Sequence, residues 1–513
     1  MNFTQALHRS AQLHPKTAAV ICNGRTTTYA QLLQRVARLA GGLRTLGLRE
    51  GNVVAMMGFN SDHYLEYFLA VPWAGGICSP QNFRWSLAEL IPALNESEAV
   101  IAFVDDAFAP HAEALIDGCP FLRALIYCGE GSCPQGLISL EDLIARSEPL
   151  ADVVVDEDET YGIFYTGGTT GRSKGVMLSH RNILCSAISM MTEGAFAEGS
   201  VGLQAAPMFH LAGLMMTTSL VLRGGTNVML PAFRPDTALA LIAQHRITDL
   251  LLVPTMLQVI LDSPAMATSD ISSVRHLMYG ASPITGALLR RAMQTLSHVG
   301  FFQVYGMTEL GATATMLTPS AHRAALVDGV RLASAGHSFL HAQIEIIDSA
   351  GQPVPTGAVG EIRVRGSNVM QGYLKQPEAT AATLKNGWLH TGDMGYLDAG
   401  GYLFIVDRLK DMIISGGENV YSVEVENIVA QHPAVASCAV VGINHAEWGE
   451  AVHAVVVLRA GASLTLSELV AHCKQHIAGY KCPRSLSLAP SLPVSPAGKV
   501  LKNELRKQLS TGG

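Results

Sequence analysis

One glycine-rich loop restricts this chain more than any other segment. Tyr165-Thr-Gly-Gly-Thr-Thr-Gly-Arg-Ser-Lys-Gly175 follows an apolar run, Tyr161 to Tyr165, that reads as a strand. Four glycines, three threonines and a lysine fall within its eleven residues. Glycines let successive N–H groups turn toward an anion, while threonine hydroxyls and the Lys174 ammonium add donors and charge. A strand ending in such a loop is a polyphosphate cradle. The ordinary P-loop is excluded, because it needs Gly-x-x-x-x-Gly-Lys-Ser/Thr opening a helix and here Gly175 follows Lys174. A plain linker is the poorer account, since it has no use for an embedded lysine and a leading strand.

The rest of the chain sets the frame around that loop. With 513 residues, 49% of them hydrophobic and 15% charged, it can form two or more domains with a large core. The net charge of −7 argues against nucleic acid as a partner, because phosphate-tracking surfaces are basic. Nine scattered cysteines without a Cys-x-x-Cys pair fit reduced thiols in a cytoplasmic protein better than a disulfide framework or zinc site. The first residues lack a basic segment followed by an apolar core, so no signal peptide is expected. Leu203 to Leu222 carries no Asp, Glu, Lys or Arg and superficially looks like a membrane span. Gln204, Pro207, His210 and a Thr/Ser cluster make a buried segment lining a pocket the better account, and no integral membrane segment is expected.

Helical and strand patterns alternate over the first four hundred or so residues, as in layered α/β folds. Tyr29 to Leu46 has helical spacing, Val53 to Met57 reads as a buried strand, and Leu239–His245, Asp249–Val253 and Leu288–Leu296 continue the alternation. The character changes after the turn Asp398-Ala-Gly-Gly-Tyr402 and the charged cluster Asp407-Arg-Leu-Lys-Asp411. Beyond it, helix Val423–Gln431, strands Val435–Val441 and Ala451–Leu458, and helix Leu466–Ile477 form a small α+β unit.

The glycine-rich loop closely resembles the phosphate-binding motif of the adenylate-forming superfamily, which includes acyl-CoA synthetases, aryl-CoA ligases, luciferases and peptide-synthetase adenylation domains. The usual motif is Tyr-Thr-Ser-Gly-Thr-Thr-Gly-x-Pro-Lys-Gly; this chain has Gly167 for the serine and Ser173 for the proline. The resemblance covers essentially the whole chain. It implies a large multi-layer α/β domain over 1–406, a hinge at 407–411 with Lys410 at its pivot, and a mobile small α+β domain over 412–513. Thr166, Gly167, Gly168, Thr169, Thr170, Gly171 and Lys174 then fall on the ATP phosphates. Tyr279-Gly-Ala-Ser-Pro283 matches a segment along the adenine and acyl pocket, which places Gly280, Ala281 and Ser282 there. In Tyr305-Gly-Met-Thr-Glu309, relatives stack the aromatic on adenine, bring Thr308 to the α-phosphate and Glu309 to Mg²⁺; Gly306 belongs to the same contact.

Further along, His390-Thr-Gly-Asp393 matches the motif whose aspartate takes the ribose hydroxyls, with Arg408 on the same ribose. Gly416 and Gly417, in Ser415-Gly-Gly-Glu-Asn419, match a loop lining the pantetheine channel. Trp448-Gly449 and Tyr480-Lys-Cys-Pro483 fall where some relatives meet the CoA nucleotide, although ordinary packing accounts for Trp448 equally well. Pro496-Ala-Gly-Lys-Val500 matches the catalytic lysine motif, so Lys499 is implied between substrate carboxylate and α-phosphate. His210 is implied at the acyl pocket as a gate for the carboxylate, together with Phe209, Gly213, Met215, Tyr279, Val304 and Gly306.

The resemblance implies an enzyme that uses ATP and Mg²⁺ to turn a carboxylic acid into an acyl-adenylate, then passes the acyl group to coenzyme A. The lining offers no obvious cation for a second carboxylate, which favours an apolar monocarboxylate, fatty or aromatic. Transfer to a carrier protein, a luciferase-like oxygenase and a non-catalytic nucleotide-binding protein are the alternatives, and a homodimer is one option within the family.

Overall fold

The structure is a computed structural model, describing residues 2–166, 173–329, 331–416, 418–445, 448–494 and 500–511. The expected early helix forms as Tyr29–Thr45 because its start is well capped. Gln31 N–H donates to the Thr28 hydroxyl, and the Gln31 side chain accepts from Thr28 N–H. Leu32, Val36, Leu39 and Leu43 then share one buried face.

Val53–Met57, buried at every residue, lies within an eight-stranded sheet. Its neighbours Ile77–Pro80 and Ile101–Val104 run parallel to it, which is why the run is apolar on both faces. Thr160–Thr166 lies parallel beside Ile77–Pro80 and turns into the antiparallel strand Lys174–Ser179, on which Gly372–Tyr373 adds an edge. The glycine-rich loop therefore joins two strands rather than opening a helix.

A second sheet of nine strands includes Val201–Gln204, Asp249–Leu252, His276–Gly280 and Gly300–Tyr305 as consecutive parallel neighbours. The apolar stretch once comparable to a membrane span divides between strand Val201–Gln204 and the buried helix Leu211–Leu222. No helix among the described residues is long and apolar enough to cross a membrane. A third, five-stranded sheet pairs Gly360–Gly366 with Trp388–Leu397 and the latter with Leu403–Arg408.

The last sheet draws all five strands from between Ile413 and Leu488. One face packs on helices Ser422–Val429 and Leu466–Lys474 through Val425, Val429 and Leu469. Val455 and Leu505 belong to a separate cluster on helix Lys502–Thr511. This is the expected smaller C-terminal domain, with a boundary shift in each of its four expected elements: the first helix is Ser422–Val429 and the second strand Gly449–Leu458. Strand Val435–His445 outruns Val441 because Asn444 and His445 stay paired with Glu450 and Gly449. Helix Leu466–Lys474 stops short of Ile477 because Gln475 N–H and His476 N–H reach only three residues back, to His472 O and Cys473 O, tightening its last turn.

Candidate active site

Strands His276–Gly280 and Gly300–Tyr305 are parallel neighbours, with Gly280 opposite Val304, so their C-terminal ends open side by side. Ligands of open α/β sheets bind at such ends. A Cβ on Gly280 would lie 2.2 Å from Val304 O, and one on Gly306 would lie 2.2 Å from Ala312 O. Only glycine fits either place. Ala281, at φ +64°, takes a left-handed turn that costs an alanine roughly 1–2 kcal/mol. Ser282, half-buried, follows it.

The Tyr305–Glu309 segment is held from both ends. Tyr305 donates its hydroxyl to Asp393 Oδ2 at 2.8 Å, and burial beside that carboxylate pushes the phenol well above its usual range. Arg408 Nε lies 3.1 Å from Asp393 Oδ1. The pairing follows from register, because Asp393 and Arg408 are opposite partners in an antiparallel ladder. Arg408 thus engages Asp393 rather than forming only a surface pair with Asp407 or Asp411. Thr308 begins a short 3₁₀ turn, in which Glu309 is buried and receives the Tyr373 hydroxyl at 2.9 Å.

Tyr373 joins the two halves of the site. Its ring lies 4.6 Å from Lys174 Nζ, a cation–π contact, while its hydroxyl reaches Glu309. Lys174 opens strand Lys174–Ser179 opposite Thr166, and Leu374 N–H donates to Gly175 O. Asn368 Nδ2 reinforces the arrangement by donating to Leu310 O at 3.1 Å and Thr313 O at 2.7 Å. Neither Tyr373 nor Asn368 stands out in the sequence: each sits in a stretch whose only signal is a neighbouring glycine.

His210 precedes helix Leu211–Leu222, its ring centroid 4.1 Å from that of Phe209. Phe209 in turn meets Phe83 edge-on at 5.1 Å. The segment leading to His210 is clamped by Asn60, which donates to Gln204 O and Ala206 O and accepts from Met208 N–H. Arg84, not singled out beforehand, places its guanidinium 5.0 Å from the Phe83 ring, and burial lowers its pKa.

One expected wall residue does not belong there. Tyr279 points into the core beneath helix Gly286–Thr295 and hydrogen-bonds His322 Nε2 at 2.8 Å. Strand alternation sends Met278 to the opposite core. Gly416 turns between strands Ile413–Ser415 and Glu418–Val420, its N–H donating to Trp448 O at 2.9 Å. Trp448 packs between His445 and the Arg484 guanidinium. Gly167, Gly168, Thr169, Thr170, Gly171, Gly417 and Lys499 lie outside the described residues.

Replacing Gly306 with alanine is expected to weaken ATP binding and lower the thermal midpoint together. The new methyl meets backbone, not a flexible side chain, so overpacking costs about 1–3 kcal/mol. Titration calorimetry with ATP and a melting curve check both effects.

Comparison with known proteins bears on this geometry. Residues 7–374 match the family model of the AMP-binding enzymes, and residues 424–499 match the AMP-binding enzyme C-terminal domain. A feruloyl-CoA synthase from Amycolatopsis sp is 40% identical over 501 residues, covering 98% of this chain and 97% of that protein. A fatty acid–[acyl-carrier-protein] ligase from Streptomyces coeruleorubidus is 37% identical over 97% of this chain and 94% of its own. Among solved structures, ATP-bound MatB from Rhodopseudomonas palustris superposes with a TM-score of 0.89 at 31% identity, covering 99% of each chain. An o-succinylbenzoate CoA synthetase from Bacillus subtilis, in complex with its acyl-adenylate intermediate, gives 0.85 at 31% identity, covering 98% of this chain and 97% of that one.

Proposed function

We propose a substrate and a division of labour for a chain that belongs to the AMP-binding enzymes, on the acid–CoA ligase branch of the adenylate-forming superfamily. The protein is an AMP-forming acid–thiol ligase. Its acid is an apolar monocarboxylate, aromatic or fatty. The aromatic wall of Phe83, Phe209 and His210 supports that choice, as do relatives named for feruloyl, indoleacetate and medium- or long-chain fatty acids.

The observation that carries the reading is the run of contacts from Lys174 through Tyr373 to Glu309, and from Tyr305 to Asp393 and Arg408. Asp393 and Arg408 take the ribose, Tyr305 the adenine, and Lys174 with Thr166 and Thr308 the phosphates. His210 borders the carboxylate. Among the described residues no group of three or more His, Cys, Asp or Glu is arranged to hold a metal. One buried carboxylate beside a phosphate site nevertheless suits Mg²⁺, which takes few protein ligands and completes its shell with phosphate oxygens and water. Glu309 would hold it, and the ion would neutralise phosphate charge. With donors fixed in place, the carboxylate attacks the α-phosphorus and pyrophosphate leaves. Positioning and charge neutralisation do most of the work in such transfers.

For the second half-reaction the small domain turns about Lys410, Lys499 withdraws, and the loop at Gly416 and Gly417 lines the path of the thiol. The CoA sulfur then attacks the acyl carbon and AMP departs. Nine free cysteines support a reducing, cytoplasmic setting. The carrier-protein ligase among the relatives keeps acyl transfer to a carrier as the second reading.

Carboxylate-dependent ATP–pyrophosphate exchange over a panel of fatty and aromatic acids tests the proposal, followed by thioester assay with CoA. Exchange plus a CoA thioester is the expected result. Exchange without CoA product, but with acylation of a carrier protein, would move the acceptor to the second reading.

A further inference from the structure

The hinge contains a polar lock that none of the site motifs includes. Strand Leu403–Arg408 is paired with Trp388–Leu397, and Leu409 N–H still donates to Gly392 O at 2.9 Å. The chain is therefore tied to the large domain as far as Leu409. From Asp411 onward the ties change sides, since Asp411 Oδ1 takes Arg506 Nη1 at 2.9 Å. Lys410 is the residue between.

Asp407 lies on the large-domain side of that point and is only 3% exposed. Its Oδ2 receives both the N–H of Ser422 and the Ser422 hydroxyl, the latter at 2.8 Å. Oδ1 accepts Arg408 N–H at 2.7 Å. Ser422 opens helix Ser422–Val429 of the small domain, so a carboxylate from one domain satisfies the helix start of the other. Lys502 completes the set: Nζ donates to the Ser422 hydroxyl at 2.6 Å and pairs with Glu426 Oε1 at 2.7 Å. Lys502 begins the C-terminal helix immediately after the segment that carries Lys499.

We propose that Asp407, Ser422 and Lys502 form a latch across the hinge that fixes the small domain in this orientation and so sets how the enzyme divides itself between its two half-reactions. These are positioning residues, acting through domain placement rather than on the reacting atoms. The inference rests on the domain-turn reading given above. Turning about Lys410 leaves Asp407 with the large domain and carries Ser422 and Lys502 away. A buried carboxylate stripped of its donors is costly, so the latch favours one well-defined orientation over a continuum.

Pulsed dipolar spectroscopy tests this, with spin labels on non-natural residues at the exposed positions Glu113 and Ser463, one on each domain. Asp407→Asn leaves Lys502 paired with Glu426. The change Lys502→Met/Glu426→Gln removes that ion pair as a unit while Asp407 keeps its Ser422 and Arg408 donors, and ATP binding confirms that each variant is folded. The wild-type enzyme is expected to give one dominant distance and both variants a second. The ratio of adenylation to thioester-forming rates should shift by about threefold or more, as a changed two-state population requires. Unchanged distances in folded variants overturn the latch whatever the chemistry. Absence of thioester formation in the wild type sinks the ligase reading instead and leaves the distance test standing.

Discussion

Replacing Lys499 with alanine is expected to lower ATP–pyrophosphate exchange on the order of 10²–10³-fold, the usual cost of removing one donor aimed at developing charge. The attacking carboxylate and the α-phosphate are both anionic, and an ammonium between them offsets repulsion that grows as they approach. Removing it leaves the ground state tolerable and the transition state uncompensated, so kcat falls more than ATP affinity. Thioester formation from supplied acyl-adenylate and CoA should survive, because in the proposed cycle Lys499 withdraws before that step. Lys499→Arg should recover little: a planar, forked guanidinium does not replace a compact point charge. Single-turnover assays of each half-reaction check the split. An equal loss in both would remove Lys499 from the adenylation step.

The parts of this molecule legible in its sequence are those in which a residue type has one physical use. Glycine beside a strand end is such a signal, and Gly280 and Gly306 each lie against backbone where a Cβ would collide. Helical spacing is another: it located the helix that begins at Tyr29, although the Thr28–Gln31 cap that starts it was not singled out. The resemblance brought Asp393 and Arg408 to one ribose, but their direct pairing depends on antiparallel register, which composition does not carry. Tyr373 was invisible because its role comes from an edge strand of two residues paired across a distant hairpin. Tyr279 was misassigned for a related reason. Period-two alternation says that neighbours on a strand face opposite ways, not which way faces the ligand. Only the packing on that side of the sheet, helix Gly286–Thr295 and His322 of helix Pro319–Asp328, which meets the hydroxyl, decides it.

Changing Glu309 to glutamine should be nearly as damaging as loss of Lys499, and differently so. Glutamine keeps the shape and still accepts the Tyr373 hydroxyl, but it removes the charge proposed to hold Mg²⁺. Loss of that stabilisation is worth several kcal/mol, on the order of 10²–10³ in rate. The Mg²⁺ concentration needed for half-maximal ATP binding should rise with it, which calorimetry reads without turnover. Tyr373→Phe separates the remaining contributions. The ring stays beneath Lys174 while Glu309 loses one hydrogen bond to a charged group, worth about 1.5–3 kcal/mol. If Tyr373 acts by orienting the Glu309 carboxylate, the two changes cannot add. Tyr373→Phe in the Glu309→Gln background should cost far less than it does alone, as coupled neighbours require. Additive losses would separate Tyr373 from the metal and leave its ring under Lys174 as its whole contribution.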